Sequence, residues 1–406
     1  MDAEVIIVGA GPAGSNAARL LAEEDIDVLL LDKEAFPRFK PCGGGLPTHV
    51  LSCYPFLREL DVIESYSYGG YIYPPSLMQK VHIEKESPVI AMVRRDIFDH
   101  AFLNLAKKKG ARIMEKAMVK DLALNADGVH LTLNNNDSLH AKLVIGADGV
   151  FSTIARKAKL STRPEVLGMC IVGEWYVEED LMDEYFTDKR FCHLHSGFMN
   201  IAGYGWVFAK KCHLNIGLLD HREFHTNAQK VNLKKIFSAY ISVLKEKRII
   251  PDEITMSHVH GGVIPIRPQN YTYGTNVLLC GDAAGFVNPV SGEGIYYALA
   301  SAELAAQTTT EALHHHDTSA RFLSRYQQRW KQDFGKEIRL WLRSKGKWGA
   351  RSENLVRLMN QDQRLAEMLY LVMTGQQRLY DWRWRIILRY ILAQCTSFRK
   401  GQNPHQ

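Results

Sequence analysis

Residues 4–8 and 27–32 are short apolar runs bounded by glycine or charge, the pattern of strands buried on both faces of a parallel sheet. Pro12–Glu24 between them reads as a helix, so the chain opens with a β-α-β unit. Residues 96–109 predict a second helix, ending in a lysine run and Gly110. Residues 111–145 alternate in short strands, with a turn at Asn125-Ala126-Asp127-Gly128 and a buried strand at Leu143-Val144-Ile145. The aromatic, alternating stretches of 165–262 predict a sheet that walls a pocket. Val277–Cys280 returns to the first domain as a strand, Gly294–Leu313 predicts a helix, and from about 320 onward the pattern is helical. There is no internal repeat and no long linker.

Composition sets outer limits. The chain has 406 residues, 46% of them hydrophobic, which suits two packed domains and an extension. No run of about 18 apolar residues predicts a spanning helix. Met1-Asp2-Ala3-Glu4 leads straight into an apolar strand without a basic region or cleavage site, so no secretory signal is expected. The 7 cysteines are irregularly spaced and suggest neither a disulfide framework nor a zinc motif. A reducing cytoplasm follows as the expected location. His314-His315-His316 is expected to be solvated loop, and no metal site is expected.

The net charge of +6 hides an asymmetry. From Arg321 to the end there are 18 Lys and Arg against 6 Asp and Glu, so the first 320 residues are net acidic.

Four motifs carry candidate chemistry. Gly9-Ala10-Gly11-Pro12-Ala13-Gly14 lies between strand and helix. Its first glycine permits the tight turn, its second lets the backbone approach a pyrophosphate, and its third allows close helix–strand packing. A diphosphate would then sit on the helix N-terminus. Asp32, followed by Lys33, closes the second strand where an acid accepts ribose hydroxyls. Arg95, just before a helix, is a candidate for the diphosphate or the flavin side of the site. Asp148 and Gly149 end a strand, where the acid is placed to orient cofactor or neighbouring backbone. Gly281 and Asp282 open a second glycine-flanked turn, with Asp282 expected on the ribityl hydroxyls. Pro289, Gly292 and Gly294 form a turn into a helix whose N-terminus can stabilise negative charge on a reduced flavin ring. Together, in this order, the motifs predict bound FAD.

In this order they resemble the para-hydroxybenzoate-hydroxylase-like flavoprotein superfamily over roughly residues 3–310. Two further segments narrow the resemblance. Pro41-Cys42-Gly43-Gly44-Gly45 resembles the Pro-Cys-Gly-Gly signature of the geranylgeranyl reductase family. Tyr204-Gly205-Trp206-Val207-Phe208-Ala209-Lys210 resembles that family's Tyr-x-Trp-x-Phe-Pro-Lys motif, with Ala209 in place of the usual proline. The resemblance implies FAD, a long apolar tunnel and reduction of isolated double bonds in a prenyl chain. It also implies an α/β fold: a Rossmann-like FAD-binding domain (1–165 and 263–318, with about 45–92 partly in the substrate domain), an inserted antiparallel-sheet substrate domain (166–262), and a C-terminal basic helical segment (319–406).

The residues support catalytic candidates of their own. Tyr204, Trp206 and Phe208 alternate on a strand and therefore share one face, which serves equally as tunnel lining or as plain core. Cys42, among glycines, is a candidate acid or gate, or a passive small residue. The expected electron donor is NAD(P)H or reduced ferredoxin; no second dinucleotide motif is visible, and the basic tail would attract an acidic donor protein. Residues 378–400 interleave Arg378, Arg383, Arg385, Arg389, Arg399 and Lys400 with Trp382, Trp384 and aliphatics. Such a helix either lies on an anionic bilayer, placing the protein at the inner face of the membrane, or packs on the flavin domain with a solvated basic face. Trp382-Arg383-Trp384-Arg385-Ile386 superficially resembles the Trp-x-Trp-x-Ile signature of flavin halogenases but lies at the wrong end of the chain. Two other readings remain open: a flavin monooxygenase or halogenase of an aromatic small molecule, and a non-catalytic flavin redox sensor at a membrane. Nucleic acid is not an expected partner.

Overall fold

A computed structural model of the protein describes residues 1–125, 127–161, 167–221, 232–349 and 352–401. The predicted turn residue Ala126, parts of the 165–262 region and the side chains of Arg399 and Lys400 lie outside the described residues. The chain divides into two compact units: Met1–Lys40, Arg95–Leu167 and Ile264–Arg339 form the first, and Pro41–Arg94, Gly168–Val263 and Leu340–Gln406 the second.

The first unit is built on a mainly parallel sheet. Strand Ala3–Val8 pairs in parallel with Val28–Leu31 on one side and Ser138–Gly146 on the other. Arg112–Met114 and Val277–Leu279 extend the sheet, also in parallel. The antiparallel hairpin Val119–Asn125/Gly128–Leu133 joins at Ser138–Gly146. Val5, Ile6 and Ile7 are fully buried, as a run with no polar alternation requires when helices cover both faces. Helix Pro12–Glu23 starts on Pro12, whose missing N–H costs nothing in a first turn. It packs against helices Arg95–Lys108 and Ile295–His314, and Asn16 donates to the carbonyl of Leu299 at 3.3 Å.

The second unit holds a seven-stranded sheet. Its order is Val259–Pro265, Leu167–Tyr176, His213–His221, Gly203–Ala209, Cys192–Ser196, Gly69–Tyr73 and Val81–Glu84. Helix Leu233–Glu246 lays Phe237, Tyr240, Ile241 and Leu244 into one apolar cluster with Val207, Ala209, Ile216 and Leu218. A small antiparallel sheet joins Gly45–Pro47, Ile90–Val93 and Ile63–Ser67. Helices Ser352–Gln361, Gln363–Met373 and Leu379–Gly401 complete the unit.

From the sequence, residues 319–406 are expected as one C-terminal segment and residues 45–92 partly in the substrate domain. Residues 41–94 belong wholly to the second unit, and the C-terminal region is shared. The cause is side-chain anchoring. Helix Ala320–Asp333 is tied to the first unit by the Tyr326 hydroxyl, which donates to the Leu279 carbonyl at 2.7 Å, and by Trp330 Nε1, which donates to Thr272 Oγ1 at 2.9 Å. Farther on, Gln376 Nε2 donates to the Val89 carbonyl of the second unit.

Candidate flavin site and aromatic face

The glycine loop of the first unit is constrained by its own backbone. Gly9 has φ +101°, and a Cβ there would stand 2.3 Å from the Ala147 carbonyl oxygen. A Cβ on Gly14 would stand 1.8 Å from the Gly9 carbonyl oxygen, so this position too admits only glycine. No side chain caps the N-terminus of helix Pro12–Glu23, which leaves its amides available to an anion. Buried Asp32 accepts from the Ala10 N–H at 2.7 Å and the Glu34 N–H at 2.9 Å. Those bonds hold the carboxylate at the end of its strand; Lys33 beside it is exposed.

Arg95 opens its helix and is buried. Its Nε and Nη2 grip the two oxygens of Asp99, each at 2.8 Å. Arg38 shares that carboxylate at 3.0 Å. Arg38 Nη2 lies 3.8 Å from where a Gly11 Cβ would stand, and its buried Nη1 has no hydrogen-bond partner among the described residues. An orphaned guanidinium nitrogen beside an uncapped helix N-terminus suits a diphosphate.

Asp148 turns toward the backbone. It accepts from Ser152 Oγ at 2.5 Å and from the amides of Thr153 and Ile154 at 2.7 and 3.2 Å, thereby capping helix Thr153–Lys157. Desolvation raises its pKa, opposed by those hydrogen bonds. Gly149 has φ +84° with open space where a side chain would stand.

The turn Gly281–Ala284 packs on the glycine loop: a Cβ on Gly281 would lie 3.1 Å from Ala13 Cβ. Asp282 pairs with Lys40 at 3.5 Å. Pro289 is buried, Gly292 has φ +71°, and Gly294 precedes helix Ile295–His314. Glu293 accepts the Tyr296 N–H at 2.7 Å, and burial pushes its carboxyl up to about 7.

In the second unit Tyr204, Trp206 and Phe208 share one face of strand Gly203–Ala209, with neighbouring ring centroids 5.9 and 6.3 Å apart. Val207 and Ala209 point the other way, into the core cluster. The Ala-for-Pro difference therefore sits behind the aromatic face. The loop from Cys42 lies flat on that face: a Cβ on Gly43 would stand 3.1 Å from Phe208 and 3.2 Å from the Trp206 indole nitrogen. A Cβ on Gly45 would stand 3.1 Å from Phe208. A side chain at either position would have to displace these rings by a few tenths of an ångström.

Asn215 fixes loop to strand. It donates to the Cys42 carbonyl at 2.9 Å and to Glu174 Oε1 at 3.3 Å, and it accepts from Trp206 Nε1 at 2.9 Å. Glu174 in turn pairs with Lys210, which is 1% exposed. Burial pushes the Cys170 thiol up to about 12, with Cys42 adding to the rise. Burial also raises the Tyr204 phenol, so both groups hold their protons at neutral pH.

From the sequence alone no individual role is assigned to Arg38, Lys40, Asp99, Glu174, Asn215 or Glu293. Arg38 and Lys40 stand just ahead of the Pro41–Gly45 segment, where their charge is the local signal that points to a phosphate. Asn215 carried no local signal, because its role depends on which strand pairs with which. The residues of the halogenase-like Trp382–Ile386 segment lie on the last helix, with Trp384 64% exposed. Away from both sites, the ligand atoms of Asp127, His130 and His140 lie within 4.8 Å of one another on the exposed hairpin.

A family model described as FAD binding domain matches residues 2–333. The chain is 30% identical over 359 residues to digeranylgeranylglycerophospholipid reductase 2 of Methanopyrus kandleri, covering 85% of this chain and 86% of that one. It is 32% identical to reductase 1 of the same organism, covering 82% and 87%. The crystal structure of a geranylgeranyl bacteriochlorophyll reductase-like protein from Thermoplasma acidophilum has the same fold, with a TM-score of 0.79 at 24% identity, covering 94% of this chain and 98% of that one. The flavin-dependent brominase Bmp2 shares the fold with a TM-score of 0.70 at 18% identity, over 92% and 93% of the two chains. This chain belongs to the FAD binding domain family and, within it, to the geranylgeranyl reductases, and is an FAD-dependent oxidoreductase.

Proposed function

We propose that this oxidoreductase saturates isolated double bonds in the geranylgeranyl chain of a lipid or prenylated precursor. The observation that carries the reading is the aromatic face of Tyr204, Trp206 and Phe208 with the glycine loop of Cys42 pressed flat against it. The reductases of Methanopyrus kandleri, by their names, act on a digeranylgeranyl lipid. Gly9, Gly11, Pro12, Ala13, Gly14, Asp32, Arg38 and Asp282 would hold the cofactor, with Arg95 orienting Asp99 behind Arg38. When bound and reduced, FAD supplies a hydride from N5.

The chain's own residues do the rest. An unactivated alkene has no carbonyl to absorb charge, so positive charge grows on the more substituted carbon as the other carbon gains a proton. Aromatic faces stabilise such a cation and exclude the water that would trap it. That proton must come from an alkene-side donor; the Cys42 thiol is the candidate, regaining its proton from solvent, and the cationic carbon would then take the hydride that the reduced cofactor supplies. Electrons come from NAD(P)H or reduced ferredoxin. The lipid is drawn from the inner face of the cytoplasmic membrane, which the protein touches peripherally; among the described residues no helix is long and apolar enough to cross it.

The test is to mix anaerobically reduced protein with a geranylgeranyl lipid, follow flavin reoxidation and weigh the product. Reoxidation with two hydrogens gained per double bond supports the reading. A flavin that stays reduced until oxygen is admitted refutes it and favours hydroxylation or halogenation of an aromatic substrate.

A further inference from the structure

The last helix, Leu379–Gly401, buries only a thin seam. Leu379, Ile386 and Ala393 recur every seventh residue and are 7%, 9% and 4% exposed. This seam faces helices Ser352–Gln361 and Gln363–Met373. At about 100° per residue, Trp384, Leu388, Ile391 and Cys395 fall on the opposite side of the cylinder, with Ile387 and Leu392 at its margins. These positions are open to solvent: Trp384 is 64% exposed, Leu388 63%, Leu392 58%, Ile391 49% and Ile387 45%. Of the two arrangements the sequence allowed, a helix packed by its apolar side with a basic side in solvent does not describe this element. Its widest apolar stripe faces outward.

The arginines border that stripe. By the same count Arg383 lies on one flank and Arg385 and Arg389 on the other. Arg389 is held by Asp362, with Nε 2.7 Å from Oδ2, so it serves the seam. Arg383 stacks over the Tyr380 ring at 4.0 Å, and Arg385 is exposed. An apolar strip led by a tryptophan and bordered by arginines is suited to lie in a headgroup layer, its guanidinium groups reaching phosphates while aliphatics enter the acyl boundary. Asp381 marks where the stripe begins at the N-terminal end. Five large apolar side chains open to solvent on one helix need a partner.

We infer that this outward face docks the protein on an anionic lipid surface. The inference deepens the prenyl-lipid reading and names the side chains that enter the bilayer. A second copy of the chain is the competing occupant. Two-fold packing of this face on itself would bring together two segments that, from Leu340 onward, each carry 12 Lys and Arg against 4 Asp and Glu, whereas an anionic bilayer answers that charge.

The test is flotation of the full-length FAD-loaded protein with vesicles of pure phosphatidylcholine, or of phosphatidylcholine mixed equally with phosphatidylglycerol. The comparison is Leu388→Asp/Leu392→Asp, with far-UV circular dichroism and flavin content checked. The expected result is binding to the mixed vesicles, weaker binding to pure phosphatidylcholine, and loss of about 100-fold or more in the variant, each buried leucine being worth about tenfold. Activity on detergent-dispersed lipid should be unchanged in the variant. Equal vesicle binding by variant and parent, or no binding by either, overturns the inference. So does a dimer in sedimentation that the variant dissociates. Vesicle binding without any alkene reduction would leave the docking face standing and remove the prenyl-lipid reading.

Discussion

Replacing Asn215 with leucine is the sharpest perturbation of the aromatic site. The side chain is 1% exposed, and leucine keeps its branching and its number of heavy atoms. What disappears is the bond from Trp206 Nε1 and the bond to the Cys42 carbonyl, both 2.9 Å, and the longer one to Glu174. Glu174 keeps Lys210. The indole N–H and the Cys42 carbonyl are left unmatched, at about 1–3 kcal/mol each, so about 2–6 kcal/mol in all. If even about 2 kcal/mol of this is lost in holding the loop where it acts, alkene reduction slows about 30-fold. The assay is single-turnover reoxidation of the anaerobically reduced variant by a geranylgeranyl lipid, with bound FAD quantified alongside. The flavin should stay bound, because Asn215 lies outside the unit that carries the glycine loop. A variant with a lowered Tm but unaltered turnover would show that the network stabilises the fold and does not position the loop.

Other predictions address separate groups. Cys42→Ser should slow alkene reduction by about tenfold or more with FAD retained, the loss expected for a general acid of weaker acidity; unchanged single-turnover rates remove the thiol from the mechanism. Trp206→Ala should change which double bonds are saturated, and an identical product distribution by mass analysis counts against a tunnel wall. Arg38→Met should weaken FAD binding about 10- to 100-fold, the worth of a charged hydrogen bond to a diphosphate, read by titrating apoprotein with FAD. Glu293, with a carboxyl raised to about 7 by burial, has a folded pKa above its unfolded one. Its ionisation therefore costs stability as pH rises from about 4.5 to 7, by up to about 3 kcal/mol, with no cost below that window. Denaturant melts of apoprotein should lose this decline in Glu293→Gln, and a decline of equal slope in the variant refutes the assignment.

The parts of the molecule that were legible in the chain are those fixed by local sterics. Gly9 and Gly14 could be read as indispensable because backbone oxygens lie within about 2.5 Å of where their Cβ atoms would stand, and a strand-turn-helix pattern announces that crowding. Alternation put Tyr204, Trp206 and Phe208 on one face, and the structure opposes them to Val207 and Ala209 in the core. Pairing across the chain was not legible. Asp99 looked like an ordinary helix residue, yet it is the carboxylate that orders both Arg95 and Arg38. In the C-terminal segment helical periodicity says that a face is buried but not against what. Tyr326 and Trp330 answer to the first unit and Gln376 to the second.

The same fold appears in a brominase and in a reductase-like protein, so the glycine loop, Asp32 and the Asp282 turn do not by themselves choose a substrate. Discrimination must come from groups that are chemically unlike in the two reactions. Halogenation or hydroxylation handles a polar, electron-rich ring and needs oxygen chemistry controlled. Saturating an isolated alkene needs a dry apolar wall, a proton held close, and access to a water-insoluble chain. The second unit supplies residues suited to each: the Tyr204–Trp206–Phe208 face, thiol and phenol groups that keep their protons, and the outward stripe of the last helix. The aromatic face and the Tyr204 phenol share one strand, whereas the stripe lies on the last helix and has no packing reason to accompany them. The proposed prenyl-lipid substrate calls for all of them. An enzyme that met an aromatic small molecule in water would need the first two at most, so the helix stripe is where the two readings part most widely.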